Sequence, residues 1–144
     1  MGTPKTHPTA CPIAFALDVF GDRWSLLIVR DVLFKGRRTY REFLDAGEGI
    51  ATNVLADRLK RLQSAGILAK KRGEQDARTF EYELTPRGLD LMPVLLEMIR
   101  WSAAHDPDTP VTKGFAKSIE TSRDEVAEQM LAEYFRQQGR SAGA

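Results

Sequence analysis

The sequence predicts a mainly α-helical fold that contains one small β-hairpin, and three stretches carry this prediction. Residues 51–65 repeat apolar side chains at helical spacing. Residues 67–72 form an apolar run that becomes basic, and residues 73–77 form a polar turn. Residues 80–84 alternate apolar and acidic side chains, which is the period of a half-buried strand. A helix followed directly by a hairpin with a basic tip is the outline of a winged helix.

Bulk composition indicates a soluble globular protein. The chain has 144 residues, of which 42% are hydrophobic and 28% are charged, and these values are ordinary for such a domain. No apolar run approaches the roughly 18 residues of a membrane span, and the N-terminal stretch lacks the apolar core of a secretory signal. Cys11 is the only cysteine, which excludes an intrachain disulfide and fits a reducing compartment. We therefore expect a cytoplasmic protein without a membrane segment.

Basic residues are concentrated in one part of a nearly neutral chain. The net charge is +1, yet residues 35–72 hold ten basic against four acidic side chains. Such clustering is the footprint expected of a face that meets phosphates. A solvated basic surface without a nucleic-acid partner explains this charge distribution equally well.

Prolines, a glycine and a capping residue indicate where the N-terminal helices begin and end. Residues 1–10 contain two prolines and no periodicity, which predicts a flexible arm. Pro12 opens a short apolar helix that ends at Gly21. Asp22 then caps a second helix over residues 23–34. Because this second helix is apolar on most sides, we expect it to be the central buried helix.

A helix-turn-helix unit follows. Thr39 is placed to cap a third helix that runs through Leu44. Residues 46–49 hold two glycines that permit a tight turn. The helix over 51–65 comes next, and a short helix, a glycine-bearing turn and a longer helix form the helix-turn-helix motif.

The C-terminal part is predicted to contain two more helices. Thr85 caps the first of them, in which Pro93 either kinks the helix or occupies its first turns. Residues 105–121 are interrupted by two prolines and a glycine, which predicts a connector. We place the winged helix-turn-helix and dimerisation domain at 11–104. A last amphipathic helix at 122–138 is a candidate extension of a dimer interface.

Several spaced motifs resemble a known family. They are CPIAFALDVFGDRWSLLIVRDVL at 11–33, YREF at 40–43, RLKRL at 58–62 and YELTPRG at 82–88. Together they resemble the HxlR family of winged helix-turn-helix transcriptional regulators, which are related in shape to MarR proteins. The resemblance implies a homodimer that binds operator DNA. It also implies dimerisation through the N-terminal helices and the helix after the wing.

The recognition helix of such a fold enters the major groove by its N-terminal part. Thr52, Asn53 and Ala56 lie there, opposite the apolar face, and are the candidates for reading bases. Asn pairs with adenine, and Thr bonds a base edge or contacts a thymine methyl. The alternative for Thr52 and Asn53 is capping of the helix. Asp57 either accepts a bond from cytosine or pairs with Arg61 four residues on.

A larger set of side chains is predicted to contact phosphates. Its members lie before the third helix, on the recognition helix or on the wing: Arg37, Arg38, Tyr40, Arg58, Lys60, Lys71, Arg72 and Arg78. The alternative is a hairpin that only covers the core, with its cations in water.

Cys11 and four aromatic residues are the candidates for sensing a signal. The resemblance implies an oxidant- or electrophile-sensitive cysteine at this motif, and a helix N-terminus favours the thiolate. The alternative for Cys11 is a small buried residue at a dimer contact. The aromatic residues form either a pocket for a small aromatic or quinone-like effector, or the core of the protein or dimer: Phe15, Phe20, Trp24 and Trp101.

The sequence therefore predicts a DNA-binding transcriptional regulator, acting as a repressor and a homodimer. His7 and His105 are isolated, so we expect no metal and no cofactor. No nucleophile–base constellation or phosphate loop is apparent, so we expect no enzyme activity. The alternative is a winged helix that contacts only other proteins and binds no DNA.

Overall fold

The fold is mainly helical with one antiparallel hairpin, as predicted. A computed structural model describes residues 10–143, with side chains for 10–139. The elements are α1 (Pro12–Phe20), α2 (Ser25–Lys35), α3 (Tyr40–Leu44), α4 (Thr52–Ser64), β1 (Leu68–Arg72), β2 (Phe80–Leu84), α5 (Pro86–Leu89), α6 (Met92–His105) and α7 (Lys113–Gly143). The chain forms two compact units that divide after Gly88, whereas the sequence predicted one domain over 11–104. The arm predicted for residues 1–10 lies almost wholly outside the described residues.

Helix α2 is the central helix of the first unit, as its apolar pattern predicted. Val29 and Val32 are almost completely buried. The carboxylate of Asp22 accepts hydrogen bonds from the backbone N–H groups of Trp24 (2.9 Å) and Ser25 (3.0 Å), so Asp22 satisfies the free donors at the start of the helix.

The helix-turn-helix is built from α3, a glycine turn and α4. Thr39 and Glu42 form a reciprocal capping box at the start of α3. Gly47 and Gly49 adopt φ values of 90° and 78°, a region that glycine enters without steric cost. On α4, the apolar stripe is buried as predicted, and it consists of Leu55, Leu59 and Leu62.

The hairpin closes the first unit beside the helix-turn-helix. Leu68 lies opposite Leu84, and Lys70 lies opposite Tyr82. The ring of Tyr82 packs edge-on against Phe43 of α3, with 6.1 Å between ring centroids. The base of the wing is therefore part of the same core as the helix-turn-helix.

The second unit corrects two expectations. The single helix predicted from Thr85 is two helices, because α5 ends at Leu89; Pro93 lies in the first turn of α6, where a missing N–H costs nothing, as the second of its two alternatives predicted. The connector predicted for 105–121 is helical from Lys113, and the backbone leaves the helical conformation at Ser122 (φ −156°, ψ 78°), where the predicted last helix, 122–138, begins. The helix breakers are concentrated before Lys113, and the Thr112 hydroxyl accepts a hydrogen bond from the Phe115 N–H (3.1 Å), so the chain can start a helix there.

Candidate nucleic-acid interface

The N-terminal half of α4 presents the predicted base-reading residues to solvent. Thr52, Asn53 and Ala56 are exposed, whereas the leucines of the opposite face are buried. The N-cap is Ala51, and no side chain caps this end of the helix. The structure therefore offers no support for the alternative in which Thr52 and Asn53 serve only as caps.

Tyr40 lies beside the start of α4. Its hydroxyl donates a hydrogen bond to the backbone oxygen of Thr52 (3.1 Å), and its side chain remains exposed. The bond joins α3 to the first residue of α4. Tyr40 thus fixes the position of α3 relative to the first turn of α4.

Arg58 is held by carboxylates. Its Nε donates to Asp22 at 2.9 Å and its Nη1 pairs with Asp57, and only 21% of the side chain is exposed. Asp57 therefore pairs with Arg58 and not with Arg61, the partner considered from helical spacing. Burial raises the pKa of Asp22, but hydrogen bonds from Ser25, Trp24 and Arg58 outweigh it and lower the pKa to about 2.

Asp31 is the buried centre of a second ion-pair network. Its carboxylate lies 2.9 Å from Arg37 Nη1 and 2.8 Å from Arg30 Nη2. Arg30 also reaches Glu48 in the glycine turn at 3.1 Å. The sequence analysis did not predict this network. The signal for it was Asp31 itself, because an acid within the most apolar helix is buried and a buried charge needs a partner. The network holds α2 to the chain before α3 and to the turn before α4.

The wing cations differ in what they contact. Lys71 lies 3.1 Å from the carboxylate of Glu83. Arg78 is highly exposed and pairs with Asp76 at 3.1 Å. Arg72 donates through Nη1 to the backbone oxygen of Ala77 (2.8 Å), a contact that leaves its charge unneutralised.

The predicted sensor and aromatic residues are mostly at the surface. Cys11 is exposed at the start of α1 in the single chain, which is compatible with a sensing role and with burial by a second copy at a dimer contact. Phe15 is 50% exposed and Trp101 is 62% exposed, whereas Phe20 and Trp24 are half-buried. Helix α1 has no buried residue, and Ile13, Phe15 and Leu17 expose at least half of their surface among the described residues.

Two cavities bear on the effector prediction. The one beside Trp24 has a volume of about 10 Å³, which is about enough for a single water molecule. The one beside Trp101 is an open groove of about 620 Å³ in the second unit, where Pro93, Met98 and Arg123 also line it. Only the second can accept an aromatic molecule. Within the part of the chain that the structure describes, no group of side chains has a metal-binding arrangement, and none of its helices could span a membrane.

Comparisons with known proteins agree with the fold. The HxlR-like helix-turn-helix family matches residues 19–109. The uncharacterized HTH-type transcriptional regulator sll1512 of Synechocystis is 39% identical over 88 residues, which are 61% of this chain and 64% of that protein. The crystal structure of PA1607 shares 37% identity and a TM-score of 0.65, covering 73% of each chain. The oxidized form of the redox regulator HypR shares 28% identity and a TM-score of 0.58, covering 66% of this chain and 97% of HypR.

The fold and the family match define a winged helix-turn-helix protein of the transcription-regulator class. The chain belongs to the HxlR-like helix-turn-helix family, a family of DNA-binding regulators. The matched segment spans just under two thirds of the sll1512 regulator, so the resemblance extends to the DNA-binding region and not to the whole of that relative.

Proposed function

We propose that the chain binds operator DNA as a homodimer and represses transcription from the promoter it covers. The observation that carries the proposal is α4, which buries its leucine stripe and leaves Thr52, Asn53 and Ala56 exposed at its N-terminal end. A recognition helix contacts base edges with this end. A dimer seated on a promoter occludes it physically, which is the simplest route to repression.

The predicted phosphate contacts do not have equal support. Lys60 and Arg72 have exposed side chains, so they can meet phosphates without losing an internal ion pair. Arg37, Lys71 and Arg78 are paired with carboxylates. Arg38 and Tyr40 remain candidates for positioning contacts at the start of α3.

Arg58 is the candidate that the structure supports least. Its bonds to Asp22 and Asp57 occupy the guanidinium, and a phosphate would have to displace two carboxylates from it. We therefore assign Arg58 to holding α4 in place and omit it from the proposed phosphate contacts.

Exposed apolar surface in both units supports a homodimer. Ile13, Phe15 and Leu17 of α1 are at least half exposed, and so are Met98 and Trp101 of α6. Leaving so many large apolar side chains in water is unfavourable, and a second copy is the partner that every solution of this chain contains. In the second unit, a second copy packed on α6 would also cover the groove beside Trp101. A dimer also gives two reading helices one DNA turn apart.

Fluorescence anisotropy with a duplex from the region upstream of the chain's own coding sequence tests the DNA-binding role. We expect Asn53→Ala to weaken binding by about 5- to 150-fold, the cost of one bidentate base contact. Gln129→Ala, an exposed amide on α7, is the matched control and should bind like the parent chain. Equal affinity of both variants and the parent would refute the assignment of Asn53. A parent chain with no affinity for any duplex would favour the alternative, a winged helix that contacts only proteins.

For regulation, we propose that Cys11 senses oxidants or electrophiles. The support is its exposure at the start of a proline-opened helix and the similarity to HypR, which is a redox regulator. Modification there would alter α1, whose exposed apolar face we assign to the dimer. Thiol labelling gives the test: Cys11 should react faster than the cysteine of a short unstructured peptide, and loss of DNA binding after oxidation should be absent in Cys11→Ser.

A further inference from the structure

The two faces of the wing differ in charge, and the strand register assigns each side chain to one of them. Cross-strand partners share a face of a hairpin. One face therefore carries the pairs Leu68–Leu84, Lys70–Tyr82 and Arg72–Phe80, and the other carries Ala69–Glu83 and Lys71–Glu81. Adjacent lysines of the sequence thus lie on opposite faces.

The face with Lys71 is neutralised by its own acids. Lys71 lies directly opposite Glu81, and its Nζ is 3.1 Å from the carboxylate of Glu83. A phosphate approaching this face meets two carboxylates for one ammonium group. Electrostatic repulsion makes it a poor surface for DNA.

The other face is cationic at its tip and is organised around Phe80. Lys70 Nζ lies 4.2 Å from the centroid of the Phe80 ring, and Arg72 Cζ lies 4.8 Å from it. Both distances are within the range of cation–π attraction. Among the side chains that the structure describes, neither cation forms an ion pair with a carboxylate. The Phe80 ring therefore holds the two cations close together, and both charges remain free to interact with an anion such as a phosphate.

This cationic face is turned toward the helix-turn-helix. Tyr82 belongs to the same face, and its ring packs against Phe43 of α3. The Tyr82 N–H, which points to the free edge of β2, donates to the backbone oxygen of Arg38 (2.7 Å) and holds the chain before α3 beside the hairpin. The side of the hairpin that carries Lys70 and Arg72 is thus the side on which α3 lies. DNA seated on the helix-turn-helix would meet this face of the wing and not the face of Lys71.

We propose that Lys70 and Arg72 form a phosphate-binding site for the DNA backbone and that Phe80 is its positioning residue. Lys70 replaces Lys71 as the contacting lysine of the wing. The ring restricts both long side chains to one surface, so less conformational freedom is lost when a phosphate is bound. The inference rests on the proposed DNA binding, and it names where the wing touches its ligand.

Neighbouring lysines provide a matched pair of variants. Lys70→Gln and Lys71→Gln make the same change of charge and size one residue apart. The logarithm of the association constant for a short duplex, plotted against the logarithm of salt concentration, has a slope of about −0.9 per phosphate contact. We expect Lys70→Gln to reduce the magnitude of the slope by about 1.8 for a dimer with two wings, and Lys71→Gln to leave it unchanged. Equal slopes for the two variants would overturn the assignment.

Substitutions of Phe80 test the positioning role. Phe80→Leu keeps an apolar side chain without a ring, whereas Phe80→Trp keeps a ring that attracts cations more strongly. We expect the leucine variant to bind DNA more weakly with a shallower salt dependence, and the tryptophan variant to retain both properties. Because Phe80 is 38% exposed, the thermal midpoints of both should stay close to that of the parent. A leucine variant that binds like the tryptophan variant would refute the role of the ring.

The outcome also separates this inference from the proposed function. A parent chain that binds no duplex at any salt concentration would refute DNA binding itself. A parent chain that binds DNA, with Lys70, Lys71 and Phe80 variants all equal to it, would refute only the site on the wing.

Discussion

Asp22 connects the start of α2 to α4. Replacing its carboxylate therefore tests how much this connection contributes to the stability of the first unit. The carboxylate accepts bonds from Trp24, from Ser25 and from Arg58, which lies 36 positions away. Asp22→Asn keeps the shape of the side chain but removes its charge. The variant amide cannot accept all of these bonds, and it leaves the half-buried Arg58 with weaker neutralisation.

The pKa of Asp22 sets the size of the effect. The pKa falls from 3.8 to about 2 on folding, and one pKa unit corresponds to about 1.4 kcal/mol. The ionised group therefore contributes about 2 kcal/mol to the free energy of unfolding at pH 7. Because the pKa is lowered in the folded state, this contribution is complete above pH 4 and is lost as the pH falls through 2. At pH 3 it should be about half its value at pH 7.

Urea denaturation of the parent and Asp22→Asn at pH 7, 5 and 3 measures this contribution. We expect a difference in unfolding free energy of about 2 kcal/mol at pH 7 and 5, shrinking toward pH 3. Asp108→Asn, which changes an exposed loop carboxylate, is the control and should stay within about 0.5 kcal/mol. A difference for Asp22→Asn that is absent at pH 7, or constant from pH 7 to 3, would refute the reasoning.

Substitutions at three further positions test the helix-turn-helix. Leu59→Ala should lower the unfolding free energy by about 2–5 kcal/mol in urea denaturation, because Leu59 is almost fully buried; a loss below 1 kcal/mol would mean that the core around α4 is loosely packed. Thr39→Ala should cost about 1 kcal/mol through its capping box, and Thr39→Ser should restore most of the loss. Tyr40→Phe removes the bond to Thr52 and should weaken DNA binding about 2- to 10-fold in anisotropy, whereas unchanged affinity would show that α4 needs no such support.

Most of the fold could be predicted because its signals are local. Asp22, Thr39 and the glycine turn act on backbone groups within a few residues of themselves, so short stretches of sequence suffice to place the helices they start or join. The buried face of α4 follows from spacing alone, since only one stripe of that helix is apolar. The break at Ser122 lies where the last helix was predicted to begin, but the helix from Lys113 to that break was missed because its start depends on Thr112, a weak signal next to two prolines.

The electrostatics of the site could not be predicted in the same way. Charge counting treats Arg58, Lys71 and Lys70 alike, but the fold gives Arg58 a carboxylate from 36 positions away and gives Lys71 one from the opposite strand. These pairings depend on which elements meet. Charge counting therefore locates the basic region, but it does not assign each lysine to a face of the strand, and the choice of Lys71 over Lys70 as a phosphate contact stays a prediction.

Sorting the cations in this way changes the expected salt dependence of DNA binding. Among the proposed contacts, Lys60, Lys70 and Arg72 keep their charges outside any ion pair among the described side chains. Three contacts per protomer give a dimer a slope of about −5. If the paired Arg37, Lys71 and Arg78 also contacted phosphates, each would have to exchange its carboxylate for a phosphate, and six contacts per protomer would give a slope of about −11.

Anisotropy titrations across a range of salt concentrations measure the slope directly. A value near −11 would show that DNA breaks the internal ion pairs, and a value near −5 would show that the folded chain selects its own phosphate contacts in advance.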